Sequence, residues 1–142
     1  MSNVKMGYEG LLYYGTAGST ATTLLENVRD ITLNLEVERG DTTVRGDSTS
    51  IPIKTEDVTL LTVGLEFTMI NDITDTELAL MMTAAAAGTG VALRGKDYAS
   101  GKGPDSDFTL SVGAPWELAG EQVLTFTAVP SRSNGRAPSN WV

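Results

Sequence analysis

The chain contains no cysteine and no histidine. Those absences remove thiol nucleophiles, Ser-His-Asp triads, Cys/His zinc sites and the side chain whose ordinary pKa lies near neutrality. Without cysteine there is also no disulfide framework and no sign of an oxidising compartment. Aromatic residues are scarce: two Trp, four Tyr and three Phe in 142 residues. Lys and Arg number 10 against 18 Asp and Glu, a net charge of −8. Gripping nucleic acid needs a basic face that neutralises phosphates, and this balance argues against one. No segment reaches the roughly 18 apolar residues of a membrane helix. The first residues lack the charged-then-apolar order of a signal peptide, so the expectation is no membrane anchoring and no secretion by the standard route.

What is present describes an ordinary globule, with 41% apolar and 20% charged residues. A chain of this size can bury about two-thirds of its unfolded surface, so it folds without metal or disulfide. Abundant Thr and 15 Gly against only 5 Pro, together with many Val, Ile and Leu, favour strands joined by tight turns. The fold class expected is mainly β.

Periodicity places the elements. Leu11–Tyr14 reads as a short strand running into a Gly, Ala, Ser and Thr loop over 15–23. In 31–38, Ile31, Leu33, Leu35 and Val37 alternate with Thr32, Asn34, Glu36 and Glu38, which is a half-buried strand. The same alternation returns over 62–69. There Val63, Leu65, Phe67 and Met69 face inward, and Thr62, Gly64, Glu66 and Thr68 face outward. Between them, Arg39-Gly40-Asp41 reads as a turn and 45–57 as a long irregular segment, of a length that signals function or ordering by a partner. Thr74-Asp75-Thr76-Glu77 spells a capping box opening one helix over about 75–87, with Gly88 as its stop. Three further strands are expected at 91–94, 108–112 and 122–129. No second domain, internal repeat or low-complexity block is visible.

Charge is unevenly placed. Between Glu26 and Glu77 there are twelve acids and four bases, and the remainder holds six of each. A solvated acidic surface is the plain reading, and a β surface that repels phosphates is the sharper one. Motifs that could carry chemistry fail on spacing. The segment from Gly95 to Gly103 has five residues between its glycines and no Ser or Thr after Lys102, unlike a phosphate loop. Asp105-Ser106-Asp107 begins like a calcium loop, but Trp116 stands where the closing Glu belongs. Arg45-Gly46-Asp47 spells an integrin tripeptide and reads as a chance triplet in a turn. Glu36 with Glu66 is the best carboxylate pair for glycoside hydrolysis, yet no aromatic platform accompanies it. No enzyme activity, cofactor or metal is expected.

The order of segments, from Gly10-Leu11-Leu12-Tyr13-Tyr14-Gly15-Thr16, through the stretch Asn27 to Leu35 and Asp41-Thr42-Thr43-Val44-Arg45-Gly46, to the terminal Ala137-Pro138-Ser139-Asn140-Trp141-Val142, resembles bacteriophage tail tube proteins. After Gly46 the chain departs from that pattern, with Asp47-Ser48-Thr49-Ser50 where a Gly-Gly or Gly-Trp step is usual. The resemblance spans almost the whole chain. It implies one tail tube domain over 1–142: a β-sandwich or small barrel with one flanking helix, an assembly loop at about 40–57 and extended termini. It further implies six-fold rings stacked into a hollow tube in the virion tail, assembled in the host cytoplasm. Partners would be other copies of the chain, a tape-measure protein, a tail terminator, tip or baseplate proteins, a sheath in a contractile tail, and DNA in transit. On that reading Thr32, Asn34, Glu36, Glu38, Thr62, Glu66 and Thr68 line the lumen. Contacts between subunits or rings would use Asp41, Arg45, Asp47, Ile51, Lys54, Glu56, Asp57, Tyr8, Arg132, Arg136 and Trp141. The competing reading is a monomeric acidic β-sandwich that binds or decorates a virion.

Overall fold

The structure, a computed structural model, describes residues 3–45 and 51–142. Among these residues, seven strands and one α-helix follow in chain order: β1 (Leu11–Thr16), β2 (Thr23–Leu24), β3 (Val28–Asp41), β4 (Glu56–Ile70), α1 (Thr76–Ala87), β5 (Val91–Lys96), β6 (Asp105–Gly113) and β7 (Val123–Pro130). A single 3-10 turn at Gly7–Glu9 precedes them. All seven strands join one antiparallel sheet in the order β2-β1-β5-β6-β7-β4-β3. The sheet curls into a half-barrel, so that β1 and β3 approach each other although four strands separate them in the order. The mainly β class and the single flanking helix are as the periodicity and the family resemblance lead one to expect.

The core lies on the inner side of this curl. Leu12, Leu65, Phe67, Met69, Leu93, Phe108, Leu124 and Phe126 are buried there, and α1 closes the open side with Leu78, Met81 and Ala84. Phe67 and Phe126 are direct cross-strand partners, stacked with ring centroids 5.1 Å apart. An aromatic pair of this kind adds about 0.5–1.5 kcal/mol beyond the area it buries.

Two local readings are corrected. The helix cap is Asp75, not Thr74. Asp72 Oδ1 accepts from both the amide and the hydroxyl of Thr74, while Asp75 Oδ1 accepts from the Glu77 amide at 3.0 Å. The Glu77 carboxylate is used elsewhere, accepting from the Glu26 amide at 3.2 Å. The stop at Gly88 is as expected, a left-handed residue at φ 71°. Arg39-Gly40-Asp41 is no turn either: β3 continues through it, with Gly40 opposite Asp57 and Asp41 opposite Glu56. A bulge absorbs the irregularity. Glu38 pairs with Leu60 and Arg39 with Val58, leaving Thr59 as the extra residue, its hydroxyl donating to the Glu38 carbonyl.

The C-terminal segment after β7 has no periodicity, yet it is fastened to the body. Asp105 exchanges backbone hydrogen bonds with Ser139, and Val142 with Gly103. Gly103 has to be glycine, because a Cβ there would sit 2.0 Å from the Gly95 carbonyl oxygen. The central fastening is ionic. The Arg136 guanidinium bonds to Asp105 and Asp107, and also donates to the Ser19 carbonyl at 3.1 Å. The second oxygen of Asp107, fully buried, accepts from the Gly18 amide at 2.9 Å. Burial opposes the charge on Arg136, but the hydrogen bonds and field of Asp105 and Asp107 outweigh it and hold its pKa above the ordinary value. One cluster therefore ties the β1–β2 loop, β6 and the C-terminal segment together.

Removing the cation strands two buried carboxylates, which costs about 3–5 kcal/mol. Arg136→Gln is expected to lower the melting temperature of the dilute chain by roughly 10 °C or more, with Arg136→Lys falling between it and the parent. An unchanged melting temperature would show the cluster to be dispensable.

Candidate functional site: the polar sheet face and the distal arm

The alternation in β3 and β4 puts their polar residues on the side of the sheet turned away from the core. Register then decides which of them meet. Thr32 lies opposite Glu66, Asn34 opposite Gly64, and Glu36 opposite Thr62; Glu38 follows, opposite Leu60. Thr68 is opposite Thr125 of β7 and accepts from the Asp30 amide at 3.1 Å. The seven polar positions singled out from sequence thus form one in-register patch. The face extends further than periodicity alone revealed. Glu66 also neighbours Thr127, which neighbours Ser111, and Val129 neighbours Thr109. These hydroxyl residues were legible as the outward half of their strands; what no pattern supplied was the order that sets β6 and β7 beside β4.

The opposite side of the same hairpin is apolar and runs out of core. Close to the body, Ile31 and Leu33 are half-buried, facing Phe67 and Leu65. Two pairs further out the cover ends: Leu35 is 46% exposed and Val37 42%, although each continues the inward series. On β4, Leu61 and, past the bulge, Val58 are exposed on this side as well, whereas Leu60 is exposed on the polar side, opposite Glu38. The apolar strip begins at an open groove of about 520 Å³ lined by Leu12, Ile31, Leu33 and Leu65, with Tyr8 and Trp141 on its rim. Sequence reasoning expected the whole inward series to be covered, because alternation reports which side a residue faces and not whether anything lies there.

Beyond the paired strands the arm continues to a tip. The amide of Thr42 donates to the Thr55 carbonyl, and the hydroxyls of Thr42 and Thr55 meet at 2.8 Å. The Thr43 amide and hydroxyl hold the Asp41 carboxyl below the usual carboxylate range. Lys54 contacts Glu56 at 3.0 Å. Ile51, Arg45 and Asp57 are exposed here. Asp47 lies outside the described residues. Of the terminal residues expected at contacts between copies, Tyr8, Arg132 and Trp141 are exposed, whereas the Arg136 charge is taken up by its own Asp105 and Asp107. Among the described residues no three carboxylates converge in a way that could hold a metal ion.

The fold so described belongs to the class of curled, mainly β proteins that carry one helix on the concave side. Two solved structures share it over nearly its whole length. One is a chain of the tail of an empty gene transfer agent particle, reconstructed by helical refinement in C6 symmetry: TM-score 0.69 and 13% identity, over 96% of this chain and 98% of that one. The other is a chain of the virion of a native gene transfer agent particle, with TM-score 0.69 and 10% identity over the same shares. No family model and no curated protein matches the sequence.

Because the distal arm is uncovered, its apolar side chains add little to the fold of a single copy. Val37→Thr and Leu61→Thr are each expected to shift stability by no more than about 0.5 kcal/mol in dilute solution. Leu65→Ala, on the same face but buried, should cost about 2–5 kcal/mol. Denaturant midpoints check this; equal costs at the three positions would mean that the arm is covered.

Proposed function

We propose that this chain is the repeating subunit of a tail tube, in which six copies close into a ring and rings stack around a hollow bore. The observation that carries the reading is the β3–β4 hairpin, polar on one face, uncovered and apolar on the other, at the free edge of an open sheet. A long exposed edge strand with apolar neighbours is an aggregation hazard for a monomer, and pairing with a neighbouring copy removes it. Support also comes from the tail and virion particles to which the fold is similar.

In the ring, the patch from Thr32 to Glu38 and Thr62 to Thr68 lines the bore, and Thr125, Thr127 and Ser111 continue it. Glu36, Glu38 and Glu66, repeated around the ring, make a negative wall. Duplex DNA carries about one charge per 1.7 Å, so such a wall repels it where a basic one would hold it. Hydroxyl groups between the acids keep the wall hydrated, with Leu60 and Val129 as apolar side chains on the same face. The role is structural and not enzymatic. Tape-measure, terminator and tip or baseplate proteins are the partners this reading assigns, with a sheath in a contractile tail; the site of action is the virion tail, after assembly in the host cytoplasm.

Negative-stain microscopy over rising protein concentration tests the proposal. Rings and then tubes are expected, and more of them as salt screens the repulsion between copies of charge −8. A monomer stable at all concentrations, or assembly that weakens steadily with salt, would contradict it.

The wall charge has its own test. Glu36→Lys, Glu38→Lys and Glu66→Lys together should leave tubes able to form but slow DNA exit from particles that carry them. Unaltered ejection would mean that the charge of the wall is immaterial.

A further inference from the structure

The backbone itself decides what the free edge of β3 can join. In an antiparallel ladder, successive residues direct their amide and carbonyl groups alternately to one neighbouring strand and to the other. The Asn71 amide, just past β4, donates to the Gln122 carbonyl at 2.9 Å, so the odd residues of β4 bond to β7 and the even ones to β3. Opposite those even residues, Thr32, Asn34 and Glu36 direct their backbone groups to β4. Leu33, Leu35 and Val37 turn theirs outward, where no strand of the sheet lies among the described residues.

A second open stretch lies on β6. The Gly95 amide donates to the Pro104 carbonyl at 3.0 Å, and the Ser131 amide to the Asp107 carbonyl at 2.8 Å. Even residues of β6 therefore face β5 and odd residues face β7. But β5 begins at Val91, opposite Phe108, whereas β6 runs on to Gly113. Leu110 and Val112 thus point their amides and carbonyls past the start of β5, and Ser111, Val112 and Gly113 are exposed. The other border of the sheet offers nothing comparable. There β2 has only two residues, and the Leu12 carbonyl already accepts from the Leu25 amide.

We infer that β6 of one copy, over 110–113, takes the free edge of β3 of the next copy in the ring. This rests on the tube reading and names the two edges on which the ring closes. The faces match. Residues directly opposite in an antiparallel pair share a side of the sheet, so Leu110 and Val112 meet Leu33, Leu35 and Val37 apolar to apolar. Thr109, Ser111 and Gly113 then continue the polar face beside Asn34 and Glu36. Strand direction matches too: β3, β4, β7 and β6 are four successive antiparallel strands, so rotation about the ring axis sets β3 antiparallel to the next β6. Two β3 edges pairing with each other would satisfy the same backbone groups. That contact crowds Glu36 and Glu38 of both copies on one face and closes as a dimer, whereas β6 presents no charge over this stretch.

Proline and cysteine substitutions test the joint. Val112→Pro removes an amide that a single copy does not use, and Leu35→Pro does the same on β3. Each should leave the dilute chain folded, with a melting temperature within about 5 °C of the parent, yet raise the concentration needed for rings at least about tenfold. Because the chain has no Cys, a disulfide across the joint can be read without background. Ser111→Cys is combined in turn with Asn34→Cys, Glu36→Cys and Glu38→Cys, three registers, since strand tilt in a closed ring sets the stagger. Oxidised rings of one of these double variants should yield a ladder of linked chains up to the full ring, and the single variants none. Single β3 variants that link as dimers, rings in which none of the three pairs links, or normal assembly of both proline variants would overturn the inference while leaving the tube reading intact. A parent chain that never forms rings would overturn both.

Discussion

One mismatch of length governs this molecule. The β3–β4 hairpin is 14 residues paired to 15, and it keeps its two-sided alternation as far as Val37 and Leu61, but the body covers only the half nearest the helix. Apolar area left in water gives up the stabilisation that burial would provide, about 25 cal/mol per Å². A sequence that maintains Leu35, Val37 and Leu61 in phase with buried Phe67 and Leu65 is patterned for a cover that a single copy does not supply. The open edge of β3 points the same way, since its outer row of backbone groups has no partner strand in the sheet.

In the proposed assembly the two faces of the hairpin divide the work. The apolar face and the edge favour contact with other protein. The polar face, with its carboxylates separated by Thr and Asn, favours water and disfavours phosphate. Because successive side chains point to opposite sides, one strand supplies both at no extra length. The body behind it needs little beyond rigidity, which the stacked Phe67 and Phe126, the helix seated on the core and the Arg136 cluster provide. Fastening the C-terminal segment internally also leaves Trp141 on the rim of the groove beside Tyr8, where both aromatics remain exposed.

Much of this was legible beforehand, and the limits have physical causes. Strands with strict period two were found because that period is a local property of the chain, and Gly88 was found because only glycine enters the left-handed cap at low cost. The cap itself slipped by one residue, from Thr74 to Asp75. Two neighbouring side chains can both accept from a helix amide; here the Thr74 hydroxyl donates to Asp72, and Asp75 takes the Glu77 amide. The turn expected at Arg39-Gly40-Asp41 failed because the ladder to Val58, Asp57 and Glu56 outweighs local turn preference. The polar patch was identified on two strands, yet its continuation onto β7 and β6 required the strand order, which local pattern does not encode. Arg136 looked like a free cation on an irregular tail; its partners lie 31 and 29 residues away and gave no local signal.

The most direct measurement is a helical reconstruction of assemblies grown from the purified chain, at a resolution that places side chains. The account predicts the free edge of β3 hydrogen-bonded to a neighbouring copy, Leu35 and Val37 covered by it, and Glu36, Glu38 and Glu66 turned toward the axis. Assemblies in which that edge stays unpaired and those carboxylates face outward would contradict it.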